Sequence, residues 1–526
     1  MNKKLKLFGL LIPTVACLAS CGGAGGKKGS EIFTIMYYPG GYGTEWIVDY
    51  AKAAIAEERG ISKEEVVEGT DFKLVAEESP STDRVLKSKK CPDLIFSNAF
   101  SANLISSDLI ESIEDVYATK VQTSKGEKTI QEYLIPDCME QFRYQKYYGQ
   151  GDRLPYGIPL TNIPISIAYN ETLLRSVVHV DTTHEVSSEL IDSNTKCWLN
   201  PPTTVEELQS YFADLNAKDP SIVKLGWSMA DGSNWFEPLY ATWWAQAQGV
   251  DVSRYPGQGS YYDFWETKGP EMYEQTGIQV ALQTAQDLFV DTAKKEFKNS
   301  HPYLSTYTIK DMQASFARGD MAMCLTGDFF ENEYKSILKD NDDVFKLMRI
   351  PEIANAEKVE GTDRTKKLTF INTSNVLFIP KNGKNKELAK KFLIYSSQEE
   401  QVLSFLEQTG GIRPFQFDKS LLEGKHFTTF QQSTLDLYFD RDDLLLKYPR
   451  NAKDKDDISP IYIYEDLGAT LWSVITYPEI LTNLTKYTPN QIAITGVKND
   501  KGVTELKSLK ARSEEAFDNW KGIYRF

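Results

Sequence analysis

Histidine is scarce in this 526-residue chain, which holds only His179, His184, His301 and His426. No HExxH pair, GxSxG elbow, P-loop or zinc-spaced ligand set occurs, which removes the metalloprotease, serine-hydrolase and nucleotide-binding chemistries those motifs announce. Cysteine is also sparse. Beyond residue 21 only Cys91, Cys138, Cys197 and Cys324 remain, far apart and without CxxC spacing, so the four read as buried small hydrophobes, and neither a metal nor a cofactor is expected. The apolar run from Leu7 to Leu18 is interrupted by Gly9, Pro13 and Thr14 and falls short of the roughly 20 apolar residues that span a bilayer. Positive charge is in deficit too: 59 Lys and Arg stand against 74 Asp and Glu, a net charge of −15, which argues against nucleic acid or an anionic surface as partner. One enzyme class survives these absences. A glycoside hydrolase draws its two carboxylates from distant positions, and so many acidic residues leave such a pair open.

The N-terminus carries an address. Lys3, Lys4 and Lys6 precede the apolar run in the order of a signal peptide, and Leu18-Ala19-Ser20-Cys21 resembles the bacterial lipobox, whose cysteine is lipidated and becomes the first residue after cleavage. On that resemblance residues 1–20 are a lipoprotein signal peptide and Cys21 is the lipidation point; ordinary secretory cleavage with an incidental Cys21 is the alternative. Two acyl chains anchor stably where one is marginal, at about 0.8 kcal/mol per buried methylene. The polar, glycine-rich stretch GGAGGKKGS that follows completes a tether over residues 21–30, and the folded body is expected from Glu31. Loss of residues 1–20 takes three lysines and no acid, sharpening the net charge to −18. A body of about 500 residues exceeds one compact core, so two lobes or more are expected.

Along that body, strand-like and helical periods alternate. Ile32 to Tyr38 reads as a strand, and Trp46, Ile47, Tyr50, Ala51, Ala54 and Ile55 recur at helical spacing. Strands at Phe72 to Ala76 and Pro92 to Ser97 flank a short helix from Asp83 to Lys87. A second such region has a strand at Ile165 to Tyr169, a capping box at Thr204 to Glu207, a strand at Val223 to Met229 and helices from Trp235 to Gln248 and Ile278 to Val290. A strand at Met321 to Leu325 and another at Ser374 to Ile379 follow, then helices over Lys386 to Ser396 and Gln398 to Gln408. Beyond Asp418 the order is less readable. Alternation of this kind argues for α/β lobes whose ligands sit beyond the carboxyl ends of the strands.

Two places combine ring faces with hydrogen-bonding groups. In GGYGTEW (residues 40–46) the glycines let the backbone approach a ligand and Tyr42 and Trp46 offer flat surfaces; a tight turn with core aromatics is the competing reading. Trp227, Asp231, Asn234, Trp235, Trp243 and Trp244 lie within eighteen residues. On a helix Trp235 and Trp243 share a face from which Trp244 is turned away, so either Trp235 or Trp243 is the candidate, with core packing as the alternative. Asp83, at a helix start, and Asn162 are further candidates.

The pieces CPDLIFSNA (91–99), YGIPLTNIPISIAYNETLL (156–174), PPTTVEEL (201–208), FARGDMAMCLTGDFFEN (316–332), SNVLFIPKNGKNKELAKKFLIYSSQEEQ (374–401) and GGIRP (410–414) resemble, in order and spacing, successive signatures of the family 1 extracellular solute-binding proteins. These are sugar-binding components of ABC importers, similar in plan to maltose-binding protein. The resemblance implies a periplasmic-binding-protein-like fold of two α/β lobes joined by hinge strands, with a ligand cleft between them. The N-terminal lobe would take residues 31–160 plus 378–425 and the C-terminal lobe 161–377 plus 426–526, with crossings near Pro159 to Ile163 and Leu377 to Pro380. It implies ligand contacts from Gly41, Tyr42, Glu45 and Trp46 and from Ser97 and Asn98. Phe329 stands where many relatives have a tryptophan platform. Asp328 would accept sugar hydroxyls or cap the next helix, and Arg413 would reach the cleft mouth or form a surface ion pair. The implied protein is a non-enzymatic monomer at the outer face of the cytoplasmic membrane, held there by its lipid, capturing an oligosaccharide for its permease subunits. A glycan-degrading enzyme and an adhesin without a working cleft are the alternatives.

Overall fold

The computed structural model describes residues 32–98, 100, 102–144, 146, 151–230, 235–248, 258–259, 269–353, 367–373, 375–441, 443–446 and 477–515. Cys21, the tether and the signal segment lie outside the described residues, as do Asp231 and Asn234. From the N-terminus the chain runs through β1 (Phe33–Tyr37), α1 (Glu45–Arg59), β2 (Phe72–Ala76), β3 (Leu94–Ser97), β4 (Ile158–Pro159), β5 (Ile163–Pro164), β6 (Ser166–Asn170) and α2 (Val205–Lys218). It continues through β7 (Val223–Gly226), α3 (Glu237–Gln248), α4 (Thr276–Phe289), α5 (Ile309–Ala317), β8 (Met321–Thr326), α6 (Phe330–Leu338) and β9 (Phe345–Met348). The last elements used below are β10 (Leu368–Asn372), β11 (Val376–Phe378), α7 (Lys386–Ser396), α8 (Glu399–Thr409), α9 (Thr429–Phe439) and β12 (Asp443–Leu446).

Three sheets organise the body. In the first, ordered β2-β1-β3-β11-β4, the three N-terminal strands are parallel and β11 returns antiparallel, pairing Val376 with Ser97 on one side and with Pro159 on the other. Helix α1 covers this sheet because Trp46, Ile47, Tyr50, Ala51, Ala54 and Ile55 form one apolar stripe, and Gly60 stops it in the left-handed region at φ 63°. The second sheet, β7-β8-β6-β9, centres on β8, whose six residues are all buried. A strand covered on both faces is expected to lack polar alternation, as MAMCLT does. Helix α2 opens on the capping box that its sequence announces, Thr204 accepting from the Glu207 amide. Helix α9 packs on β9, where the Leu347 amide donates to Ser433 Oγ at 2.8 Å.

A third sheet lies next to the crossings. Strand β5 pairs antiparallel with β10, and β10 runs parallel to β12, with the short strand Gln258–Gly259 beyond it. The chain passes between the first sheet and the third twice, at residues 160–162 and between Asn372 and Val376. The second crossing comes earlier than Leu377 to Pro380, because Val376–Phe378 is already paired into the first sheet. The crossings are bonded side by side: the Leu160 amide donates to the Asn375 carbonyl at 2.8 Å and Asn375 Nδ2 to Thr161 Oγ1 at 3.0 Å.

Several local expectations shift. The strand at Val223 stops at Gly226, three residues short of Met229, and Trp235 precedes α3 instead of lying on it. Cys138 and Cys324 are buried, but Cys91 and Cys197 are half-buried; among the described residues none forms a disulfide. No described helix is long and apolar enough to cross a membrane.

Trp46 anchors the first lobe. It is 0% exposed, its indole N–H donates to the Gly43 carbonyl at 3.2 Å, and its ring packs edge-on against Tyr50, Phe96 and Phe405. Trp46→Ala is expected to cost about 3–5 kcal/mol by urea titration, the range for deleting a buried large aromatic; a loss under about 1 kcal/mol would show that the helix does not depend on this packing.

Candidate binding site

The loop after β1 needs glycine. Gly41 and Gly43 adopt φ of 80° and 69°, where L side chains are strained, and this turn carries Tyr42 inward beneath the second lobe. Gly411, on the chain leaving α8, completes the seat: a Cβ there would lie 2.6 Å from the Tyr42 ring.

Tyr42 is 2% exposed and its hydroxyl donates to Asp328 Oδ1 at 2.6 Å. Asp328, directly after β8, also accepts from the Ile412 amide at 3.2 Å. Thr161, on the first crossing, lies beside the Tyr42 hydroxyl and accepts from Asn375 Nδ2 at 3.0 Å. A second tie lies nearby: the Gly41 amide donates to Glu333 Oε1 of α6 at 3.0 Å. The Asn332 side chain adds a bond to the Thr409 carbonyl.

These ties enclose a cavity of about 260 Å³ between the lobes. Its rings come from both sides: Tyr38 and Tyr42 from the first lobe, Trp235 and Phe329 from the second. Trp235 and Phe329 meet edge to face, with centroids 6.2 Å apart. Asn98, Gln313, Asn372 and Asn375 add amides, and Lys310 and Glu333 add charges. The Lys310 ammonium lies 6.0 Å from the Tyr38 ring centroid. Burial raises the Glu333 carboxyl above the usual range, with the Gly41 amide and Lys310 opposing. Rings can cover apolar C–H faces, and amides can both donate to and accept from hydroxyls.

Of the residues singled out in the sequence, Gly41, Tyr42, Asn98, Trp235 and Phe329 line the cavity. The rest are placed elsewhere for identifiable reasons. Trp46 fills the core, and Trp243 is 0% exposed with its indole N–H on the Pro351 carbonyl at 3.0 Å. Glu45 is exposed and accepts from the Thr44 amide. Asp83 pairs with Lys87 on the surface. Ser97 is sealed within the first sheet. Asn162 is buried in the hinge between Tyr438 and Thr373, at 3.0 and 3.1 Å. Arg413 reaches no cleft mouth: it is 0% exposed, bonded to the carbonyls of Leu160 and Ser396 and set 5.0 Å from the Phe415 ring centroid. Asp328 sits behind Tyr42 as a tie; α6 begins without a side-chain cap.

Sequence reasoning passed over Tyr38, Lys310, Gln313, Glu333, Asn372 and Asn375. Glu333 had a legible signal, since it lies four residues after Phe329 and shares its helical face. Lys310 had none.

A family model described as a bacterial extracellular solute-binding protein matches residues 66–424. Among solved structures, the chain is similar to an ABC transporter solute-binding protein from Thermotoga lettingae TMO bound with α-D-tagatose, at 17% identity over 94% of this chain and 100% of that one, TM-score 0.55. It is similar to a protein from work on xylan utilisation by Caldanaerobius polysaccharolyticus, at 15% identity over 86% of this chain and 99% of that one, TM-score 0.51. A third is the binding protein MsmE from Bacillus subtilis in an open conformation, at 12% identity over 95% and 99%, TM-score 0.51. These likenesses establish a shared fold. Comparison with curated proteins finds no match.

The tie through Asp328 titrates. Burial pushes its carboxyl from 3.8 up to about 7, against the pull of Tyr42 and the amides of Ile412 and Phe329. An unfolded chain releases this proton near 3.8 and the folded one near 7, so the folded state binds more protons in between and stability falls as pH rises across that window. Asp328→Asn keeps a carbonyl acceptor and cannot ionise. Urea titrations from pH 4 to 7 are expected to show the variant gaining on the wild type by up to about 4 kcal/mol; a constant difference would sink this assignment.

Proposed function

The chain belongs to the bacterial extracellular solute-binding proteins, and from that premise we propose that it captures a carbohydrate between its lobes for an ABC importer. The observation that carries this reading is the interlobe cavity with rings on both sides and amides between them. Aromatic faces suit the C–H surfaces of a sugar ring, and Asn and Gln both donate to and accept from hydroxyls. Xylan utilisation and bound tagatose among similar folds support the same ligand class. The ligand is an oligosaccharide, passed to the permease subunits by a monomer whose Cys21 is lipidated and whose tether holds it at the outer face of the membrane.

Capture works by closure. A solute that touches both lobes favours their contact by its differential affinity, and here it would add contacts to the Tyr42–Asp328 tie without replacing the hinge.

A thermal-shift panel of glycans is expected to reveal at least one that raises the melting temperature, because a ligand preferring the native state stabilises it. That glycan is expected to compact the protein in small-angle scattering. Trp235→Ala and Phe329→Ala are each expected to weaken it roughly tenfold, about 1.4 kcal/mol. No stabilising glycan in a broad panel, or full affinity in both variants, would overturn the reading.

A further inference from the structure

Outside the inner cavity lies a second hollow, a groove of about 550 Å³. The two share Gly40, Gly41, Lys310 and Glu333, so their common wall is the glycine turn of one lobe set against the Glu333 carboxylate and Lys310 of the other. The wall is thin by construction. A Cβ on Gly40 would stand 2.7 Å from the Tyr38 ring and 3.1 Å from Glu333 Oε1, so the turn backbone lies against the carboxylate with the Tyr38 ring beside it. One hydrogen bond, Gly41 N–H to Glu333 Oε1, spans it. A sugar hydroxyl offers the same donor as that amide, so a ligand passing through exchanges one bond for another and leaves no buried carboxylate unsatisfied.

The volumes bear on what passes. The inner cavity, at about 260 Å³, lies below the roughly 300–1,000 Å³ of pockets that take drug-sized ligands, which suits one sugar ring and not a chain. The outer groove is built from similar chemistry, with Tyr37, Thr44, Asp311, Asn332 and Tyr334 along it. The geometry points to end-on binding: the inner cavity holds the terminal ring of a short oligosaccharide, the outer groove holds the rings that follow, and Glu333 contacts hydroxyls at the junction where it now holds Gly41. This inference rests on the carbohydrate reading above and assigns the glycan's length and direction to named parts of the cleft.

Titration calorimetry on the mature protein tests it, using the best stabilising sugar as its mono-, di- and trisaccharide. Affinity is expected to rise at least tenfold from the first to the third. Ala314→Trp, which fills the outer groove from α5, and the isosteric Thr44→Val are expected to remove most or part of that gain respectively. Melting curves verify folding, and Thr44→Val decides alone if the tryptophan variant does not fold. Equal affinity for all three lengths in the wild type, or an undiminished gain in the folded variants, would overturn end-on binding while leaving carbohydrate capture standing. Binding of no sugar of any length would remove both.

Discussion

One buried hydrogen bond, from the Tyr42 hydroxyl to Asp328, sets the relation of the two lobes. Its partners come from three separate parts of the chain: the loop after β1, the end of β8, and the segment leaving α8, where the Ile412 amide reaches the same carboxylate. A carboxylate taken out of water must be satisfied by donors, and none of these donors is its neighbour in space unless both lobes and the return segment are folded. The carbonyl of Ile412 accepts from the Asn162 amide on the first crossing at 2.6 Å, so the tie is also fastened to the hinge. Enclosing Asp328 is unfavourable in itself, which is why its proton is held so firmly. The rings of the cavity are positioned on top of this arrangement.

Most of the fold was legible because it is written locally. The stripe of α1, the capping box of α2 and the buried run of β8 each follow from a period or a cap within a dozen residues. The strand and helix boundaries that moved did so where tertiary packing decides the end, as at Gly226, where the backbone is crowded by Met321 and Cys324. The region beyond Asp418 hid a regular helix, α9, whose buried face mixes Thr434 with Phe430, Leu435, Leu437 and Tyr438 and so blurs the apolar stripe.

The site was legible in part, and the division is physical. Residues at strand ends, Gly41, Tyr42 and Asn98, were found because topology brings such loops to the cleft. Tryptophans were harder, since Trp46 and Trp243 have the same local spacing whether they face solvent, ligand or core; only the partners of their indole N–H groups separate these outcomes. Arg413 was misplaced because a guanidinium normally stays at the surface, whereas here two backbone carbonyls and flanking rings receive it. Asn372 and Asn375 gave no signal as ligand contacts because their position depends on how two crossings lie beside each other.

The separation between the Tyr42–Asp328 tie and most of the cavity lining has a bearing on how such a receptor diversifies. Asp328, Ile412 and Asn162 hold the lobes without lining the cavity, while Asn98 and Trp235 line it without entering the tie. Exchanges in the second group alter which solute fits and leave the joint intact, because effects at sites without shared partners are close to additive. A lineage can therefore wander among ligands one residue at a time without passing through an unfolded ancestor, and Tyr42, which belongs to both groups, is the position least free to drift.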